Sequence, residues 1–185
     1  EATSIWKATN GNIEPVEIID WPNSLGLFYA KFTKYLGFTP LREEWKVMGM
    51  APYGQDGTEL DQFINTNYPY EVNHKHIMGT GMNDVSGIER CFGSSASNGN
   101  YMDDKYKDIA YAVQRDTEKA MLNLCSAAIK KTGINKLCLA GGVALNCKAN
   151  GMIANNLELD DIFVQPASSD EGCALGAAMY PYLLD

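Results

Sequence analysis

Positive charge is scarce in this chain. Fifteen Lys and Arg stand against 23 Asp and Glu, for a formal charge of −8. Without a basic face the chain is a poor non-specific binder of nucleic acid or of a membrane surface. A nucleotide ligand stays open, because backbone N–H groups and a few lysines can hold a phosphate. Histidine is scarcer, with only two residues, His74 and His76. Neither lies near a nucleophile motif, so no Ser-His-Asp or Cys-His arrangement is evident. A His-x-His pair on a strand could bind a metal, but no carboxylate stands beside this one at ligand spacing. The five cysteines are Cys91, Cys125, Cys138, Cys147 and Cys173. They form no Cys-x-x-Cys pair, which argues against a zinc site or a disulfide framework. Free thiols in a reducing cytoplasm are the expectation, with Cys147 a small buried residue and not a nucleophile. No apolar run approaches the roughly 20 residues of a membrane-spanning helix, and no signal-peptide pattern appears. The chain also opens on Glu1, without a methionine, and closes at Asp185 directly after a helical pattern. A piece of a longer protein is expected.

The most informative stretch runs from Leu137 to Asn156. Leu137-Cys138-Leu139-Ala140 reads as a buried strand. Gly141-Gly142 reads as a turn, and helix-compatible residues resume at Val143 or Leu145. In α/β proteins ligands bind at such strand ends. Glycine removes the Cβ that would keep a phosphate or a ribose from the backbone.

The remaining elements follow from spacing. Asn10-Gly11 between two alternating runs predicts a hairpin over residues 1–20. Asn23 or Ser24 caps a helix with Leu25, Phe28, Tyr29, Phe32, Tyr35 and Leu36 on one face, stopped at Gly37. Arg42–Gly54 reads as a solvated helix ending at a turn. Residues 55–101, rich in Gly, Ser and Asn, suggest a loop-rich insertion. Gly79-Thr80-Gly81 within it is followed by no helical pattern, so a dinucleotide fingerprint is not indicated. A long helix spans about 103–132, with Tyr106, Ile109, Ala110, Val113, Thr117, Ala120, Met121, Leu124 and Ala128 inside and Gln114, Arg115, Glu118 and Lys119 largely off that face. A strand at Lys136–Ala140, a helix at Cys147–Asn156, a strand at Asp161–Val164 and a helix at Cys173–Tyr182 complete the chain. This order implies parallel strands with crossover helices.

Asp170 follows the last strand, so its loop and the Gly141-Gly142 loop should open on one sheet edge. A carboxylate there can hold a divalent cation and, through it, phosphate oxygens; alternatively Ser169 or Asp170 only caps the last helix. Asn146 and Lys148 lie one turn beyond the diglycine, and an Asn amide can serve a ribose hydroxyl or an adenine edge. The residues suit the positioning of a nucleotide and a metal better than covalent catalysis.

Four ordered segments carry a family likeness: Ser24-Leu25-Gly26-Leu27-Phe28-Tyr29, Lys46–Gly54, Gly141-Gly142-Val143-Ala144-Leu145-Asn146-Cys147, and Gln165–Gly172 with Ala174-Leu175-Gly176-Ala177-Ala178. Together they resemble the nodulation-protein and antibiotic-tailoring O-carbamoyltransferases. The resemblance implies an α/β fold of the actin-like ATPase (ribonuclease H-like) type, with a mixed sheet and flanking helices. It implies ATP and carbamoyl phosphate as substrates, carbamoyl-adenylate as intermediate, and a hydroxyl of a sugar or natural product as acceptor. It implies a divalent metal, iron in characterised members, held by two histidines of a His-x-x-x-His motif and by an aspartate that matches Asp170. Gly141, Gly142, Val143 and Asn146 would line the nucleotide, with Gly26 and Lys46 near the same cleft.

The departures are equally specific. No His-x-x-x-His occurs, and only the last residue of an Asp-Gly-x-Gly-Glu motif could be present, as Glu1. The chain thus resembles the second half of the actin-like domain. Residues 1–54 hold the hairpin, first helix and Lys-Val-Met-Gly motif, 55–101 the insertion, and 102–185 the nucleotide-binding core. A non-catalytic nucleotide-binding module of this fold and a tRNA threonylcarbamoyl-type relative are the alternatives. A homodimer is compatible with the sequence. The isolated chain, lacking the histidines, is expected to be inactive.

Overall fold

Strands β1 (Thr3–Thr9) and β2 (Asn12–Ile19) form the expected antiparallel hairpin. Its turn places Asn10 at φ 51° and Gly11 at φ 79° in a computed structural model that describes residues 1–77, 81–97 and 99–183. Two consecutive left-handed residues are what a two-residue hairpin turn requires. Ile5 and Ile19 are buried.

Helix α1 (Leu25–Tyr35) starts at Ser24, whose Oγ accepts the Leu27 N–H at 3.1 Å. Its apolar face is core: Phe28, Phe32, Tyr35 and the following Leu36 are fully buried. Phe32 meets the edge of Phe63 at 5.3 Å between ring centroids. Helix α2 (Glu44–Met50) continues into a 3-10 turn, Ala51–Tyr53. Val47 and Met50 are buried, so this helix is half core and not a wholly solvated element.

Residues 55–101 are loop-rich, but they are not peripheral. They hold a two-residue ladder of β3 (Ile64–Asn65) and β4 (Glu71–Val72), a short helix α3 (His74–Ile77) and helix α4 (Ser86–Phe92). Leu60, Phe63, Tyr70, Ile77 and Ile88 from this stretch are nearly or fully buried in the same core as α1. The histidines fall on helix α3, not on a strand. Residues two apart on a helix point to different sides, and His76 rests edge-on against Phe63. Gly79 and Thr80 lie outside the described residues.

Helix α5 (Asp104–Thr132) matches the expected span and ends at Gly133, φ 68°. It differs in its faces. Gln114 and Asp116 are buried at 5% and 4% exposure, so a helix passing through the middle of the chain buries more than one stripe. Arg115 meets Asp116 at 2.8 Å and Asp56 at 2.6 Å, and so ties the 55–60 segment to α5.

Strand β5 (Lys136–Leu139), helix α6 (Cys147–Asn156) and strand β6 (Asp161–Val164) make a parallel crossover unit, with Leu137 opposite Ile162 and Leu139 opposite Val164. Helix α7 (Glu171–Met179) follows. The α/β class holds, but among the described residues no single mixed sheet forms; there are three separate two-stranded sheets. The β5–β6 pair is packed on one face only. Leu137, Leu139 and Ile162 lean on the core, while Cys138 and Phe163 are exposed. The cysteine expectation is corrected likewise: Cys91, Cys138, Cys147 and Cys173 are exposed, and only Cys125 is buried.

A Cβ on Gly54 would sit 2.1 Å from the Lys107 carbonyl oxygen, whereas one on Gly49 would meet nothing within 4 Å. Overpacking against rigid backbone costs about 3 kcal/mol, while Ala in place of a mid-helix Gly gains up to about 1 kcal/mol. Gly54→Ala should therefore lower the thermal midpoint by several degrees and Gly49→Ala should hold or raise it. Equal midpoints for the two variants would contradict the packing of the 3-10 turn on α5.

Candidate functional site

The two loops that leave β5 and β6 meet at the carboxyl edge of the pair. Gly141 sits at φ 97°, ψ 160°, a conformation that strains any L side chain. Its N–H donates to the Ser168 carbonyl at 2.6 Å, and the Gln165 N–H donates to the Leu139 carbonyl at 3.2 Å. Ser168 is buried, and its hydroxyl donates to the Gln165 carbonyl. A Cβ on Gly172 would come 2.6 Å from the Ala167 carbonyl oxygen, so the return into α7 also needs glycine.

The helix does not resume at Val143. Gly142–Leu145 form a 3-10 turn, closed by the Ala144 N–H on the Gly141 carbonyl at 2.9 Å and the Asn146 N–H on the Val143 carbonyl at 3.0 Å. Asn146 then caps α6, its Oδ1 accepting the Ala149 N–H at 3.1 Å. Cys147, exposed on the first turn, has its Sγ 3.8 Å from the Met48 Sδ.

Several sequence-predicted residues converge here. A Cβ on Gly26 would lie 3.3 Å from Val143 Cγ2, so the first turn of α1 rests on the 3-10 turn. A Cβ on Gly142 would lie 3.7 Å from Ser169 Oγ. Gly26, Gly141, Gly142, Val143 and Asn146 thus surround one edge, and Asp170 stands in the facing loop. Gly141 and Gly142 are exposed, and no heavy atom lies within 4 Å of where a Gly141 Cβ would sit. That open backbone fits the close approach of a ribose or a phosphate.

Lys46 is placed differently. Its Nζ lies 2.5 Å from Glu43 Oε1 and 5.5 Å from the ring centroids of Phe38 and Trp45. The same Glu43 accepts the Thr39 N–H at 2.8 Å. Lys46 is engaged within its own helix turn and the preceding loop.

Asp170 occupies the N-terminal position of α7, but its side chain makes no capping bond and is exposed. Among the described residues no three His, Cys, Asp or Glu side chains converge on a metal position. Asp170 alone does not make a metal site.

Sequence reasoning missed Gln114. Its Oε1 accepts the Tyr29 hydroxyl at 2.8 Å and the Asn146 Nδ2–H at 3.0 Å. Its Nε2 donates to Asn146 Oδ1 at 3.0 Å and to Glu118 Oε1 at 2.8 Å. A signal was present: Gln114 follows Ala110 by one turn and precedes Thr117 by another, so it continues the buried stripe.

The family described as "Carbamoyltransferase N-terminus" matches residues 1–179. The chain belongs to that family. It is 35% identical over 170 residues to nodulation protein NolO of Bradyrhizobium diazoefficiens, covering 88% of this chain and 29% of that protein. It is 35% identical over 172 residues to nodulation protein NolNO of Sinorhizobium fredii, covering 90% of this chain and 24% of that protein. An uncharacterized protein of Synechocystis is also 35% identical, over 96% of this chain and 30% of its own length. The carbamoyltransferase-family chain therefore spans a quarter to a third of these relatives. No helix among the described residues is long and apolar enough to cross a membrane.

The Glu43–Lys46 contact has a pH signature. The Lys46 ammonium, followed by the Thr39 bonds, holds the Glu43 carboxyl down to about 2. The folded value lies below the unfolded one, so this contribution to stability is present above the ordinary carboxylate range and lost as pH falls toward 2. An NMR titration should find Glu43 protonating near 2, and Lys46→Met should return it toward the ordinary range. A Glu43 titration that Lys46→Met leaves unmoved would break the assignment.

Proposed function

We propose that this chain is the nucleotide-binding half of an actin-like domain in an ATP-dependent O-carbamoyltransferase. The longer enzyme hydrolyses carbamoyl phosphate to carbamate and phosphate, joins the carbamate to ATP as carbamoyl-adenylate with release of pyrophosphate, and passes the carbamoyl group to a hydroxyl of a sugar or natural product with release of AMP. The observation that carries this reading is the open glycine edge: Gly141 in a conformation reserved for glycine, Gly142 exposed beside it, and the Ser168–Asp170 loop bonded across to it. Family membership supports the chemistry.

In this reading Gly141 and Gly142 let the adenosine and its phosphates approach the backbone. Gly26 and Val143 wall the cleft from the α1 side. Asp170 offers one carboxylate to a cation, iron by family resemblance, whose other ligands lie outside this chain. Lys46 acts on the cleft only through the placement of α2. Rate enhancement comes from holding the reactants in line and out of water.

The test uses the full-length protein with ATP and carbamoyl phosphate, read as pyrophosphate release and carbamoyl-adenylate formation. Gly142→Ala adds a Cβ that meets only ordinary contact with Ser169 Oγ, so the fold should hold. The KM for ATP should nevertheless rise by about tenfold, as a group misplaced at a binding edge does. Asp170→Asn should abolish turnover. Wild-type rates in both variants would sink the reading.

A further inference from the structure

We propose that Gln114 is a positioning residue for the nucleotide loop, and that Asn146 acts through Gln114 and not mainly by touching the nucleotide. The inference rests on the reading of the glycine edge as an adenosine site.

The argument starts from donor and acceptor capacity. A side-chain amide has two N–H donors and an oxygen with two lone pairs. Asn146 Oδ1 spends both lone pairs, on the Ala149 N–H and on Gln114 Nε2–H. One Nδ2 hydrogen is spent on Gln114 Oε1. Gln114 has nothing left: its oxygen takes Tyr29 and Asn146, and its nitrogen serves Asn146 and Glu118. Asn146 therefore keeps at most one N–H for a ligand. Most of its hydrogen bonding fixes where the turn ends and α6 begins.

The placement of the pair matters because the turn is short and begins at two glycines. Glycine confers freedom, so the position of Gly141 and Gly142 must be set from outside. On one side it is set by the Ser168 carbonyl. On the other it is set by α1, twice. Gly26 lies against Val143 directly, and Tyr29, one turn further along the same helix, reaches Asn146 through Gln114. Tyr29 and Gln114 are each 5% exposed, so water does not compete for the bond between them, while the Gln114–Asn146 bonds are partly buried. Burial raises the Tyr29 phenol well above its usual range, so it remains a donor at any working pH. The network is charge-neutral except at Glu118 and spans α1, α5 and α6.

The experiment compares variants of the full-length protein by ATP titration calorimetry, steady-state kinetics and thermal melting. Gln114→Met keeps length and removes all four hydrogen bonds. Tyr29→Phe is the milder variant and leaves the ring in the core. Cys125→Ala is the control: it loosens the same helix, at a buried residue outside the network. Gln114→Met should weaken ATP binding about tenfold and Tyr29→Phe about threefold, the scale of loop misplacement. The KM for carbamoyl phosphate should stay within about twofold, as expected for a site not sharing the network. Cys125→Ala should lower the melting temperature without moving ATP affinity. Gln114→Met combined with Asn146→Ser, which keeps the α6 cap and adds no charge, should weaken ATP no more than the worse single variant, because the two act as a unit. Multiplying effects would show Asn146 reading the nucleotide on its own and overturn the proposal. Losses that track melting temperature in all variants, control included, would make Gln114 merely structural. Wild-type affinity in Gln114→Met overturns the positioning role alone, whereas wild-type protein that takes up no ATP overturns the site as well.

Discussion

Two polar side chains buried along one helix tie remote segments to it, and those ties organise this chain. Helix α5 could have buried only apolar residues. Instead it buries Gln114, Asp116 and Thr117, and the first two of these reach outward. An unpaired buried polar group costs about 1–3 kcal/mol, and each of these two draws a remote segment onto the helix. Asp116 holds Arg115, and Arg115 holds Asp56 and the Thr58 carbonyl. Gln114 holds Tyr29 of α1 and Asn146 at the head of α6. The first pin fixes a long loop. The second fixes the edge on which the glycines sit.

Apolar packing alone would leave that edge loose. A β-α-β unit is steadied when both sheet faces are covered. Here β5 and β6 rest on the core by one face, Phe163 is 53% exposed on the other, and α7 has no buried residue. Among the described residues none covers that side of the loops at the carboxyl edge. The loops take rigidity from each other, through Gly141 and Ser168, and from α5 and α1. The motif residues of the sequence divide along this line: Gly141 and Gly142 open the surface, while Gly26, Val143 and Asn146 hold it in place.

How much of this was legible in the sequence depended on the range of the interaction. Short-range chemistry read well. Asn10-Gly11 gave the hairpin, Ser24 the cap of α1, Gly133 the end of α5, and alternating strands and helices the parallel pair. These features are decided within a few residues. Long-range burial did not read. Residues 55–101 read as a loop-rich insertion by composition, yet Leu60, Phe63 and Tyr70 are core. His74-Lys75-His76 has no local reason to be helical, and Cys138 looked buried because a strand of that composition is usually covered on both faces. Gln114 falls largely off the apolar stripe by spacing, and glutamine is mostly exposed. At the site the glycines were visible from type and spacing. The role of Asn146 was not, because its partner lies 32 residues earlier in sequence.

The same pairing explains why an asparagine serves at the start of α6 when several residues could cap it. Ser, Thr or Asp would accept the Ala149 N–H about as well. None of them would also complete a two-way amide pair with Gln114. A hydroxyl is too short to both donate and accept across that gap, and a carboxylate cannot donate. An aspartate would also set a second negative charge near Glu118, which Gln114 Nε2 already serves. The cap requirement narrows the position to a few residue types, and the buried partner narrows it to one. Family likeness at Asn146 is thus accounted for by structure at least as well as by ligand contact, which is why the coupling of two side chains, and not the loss of one, is the informative measurement.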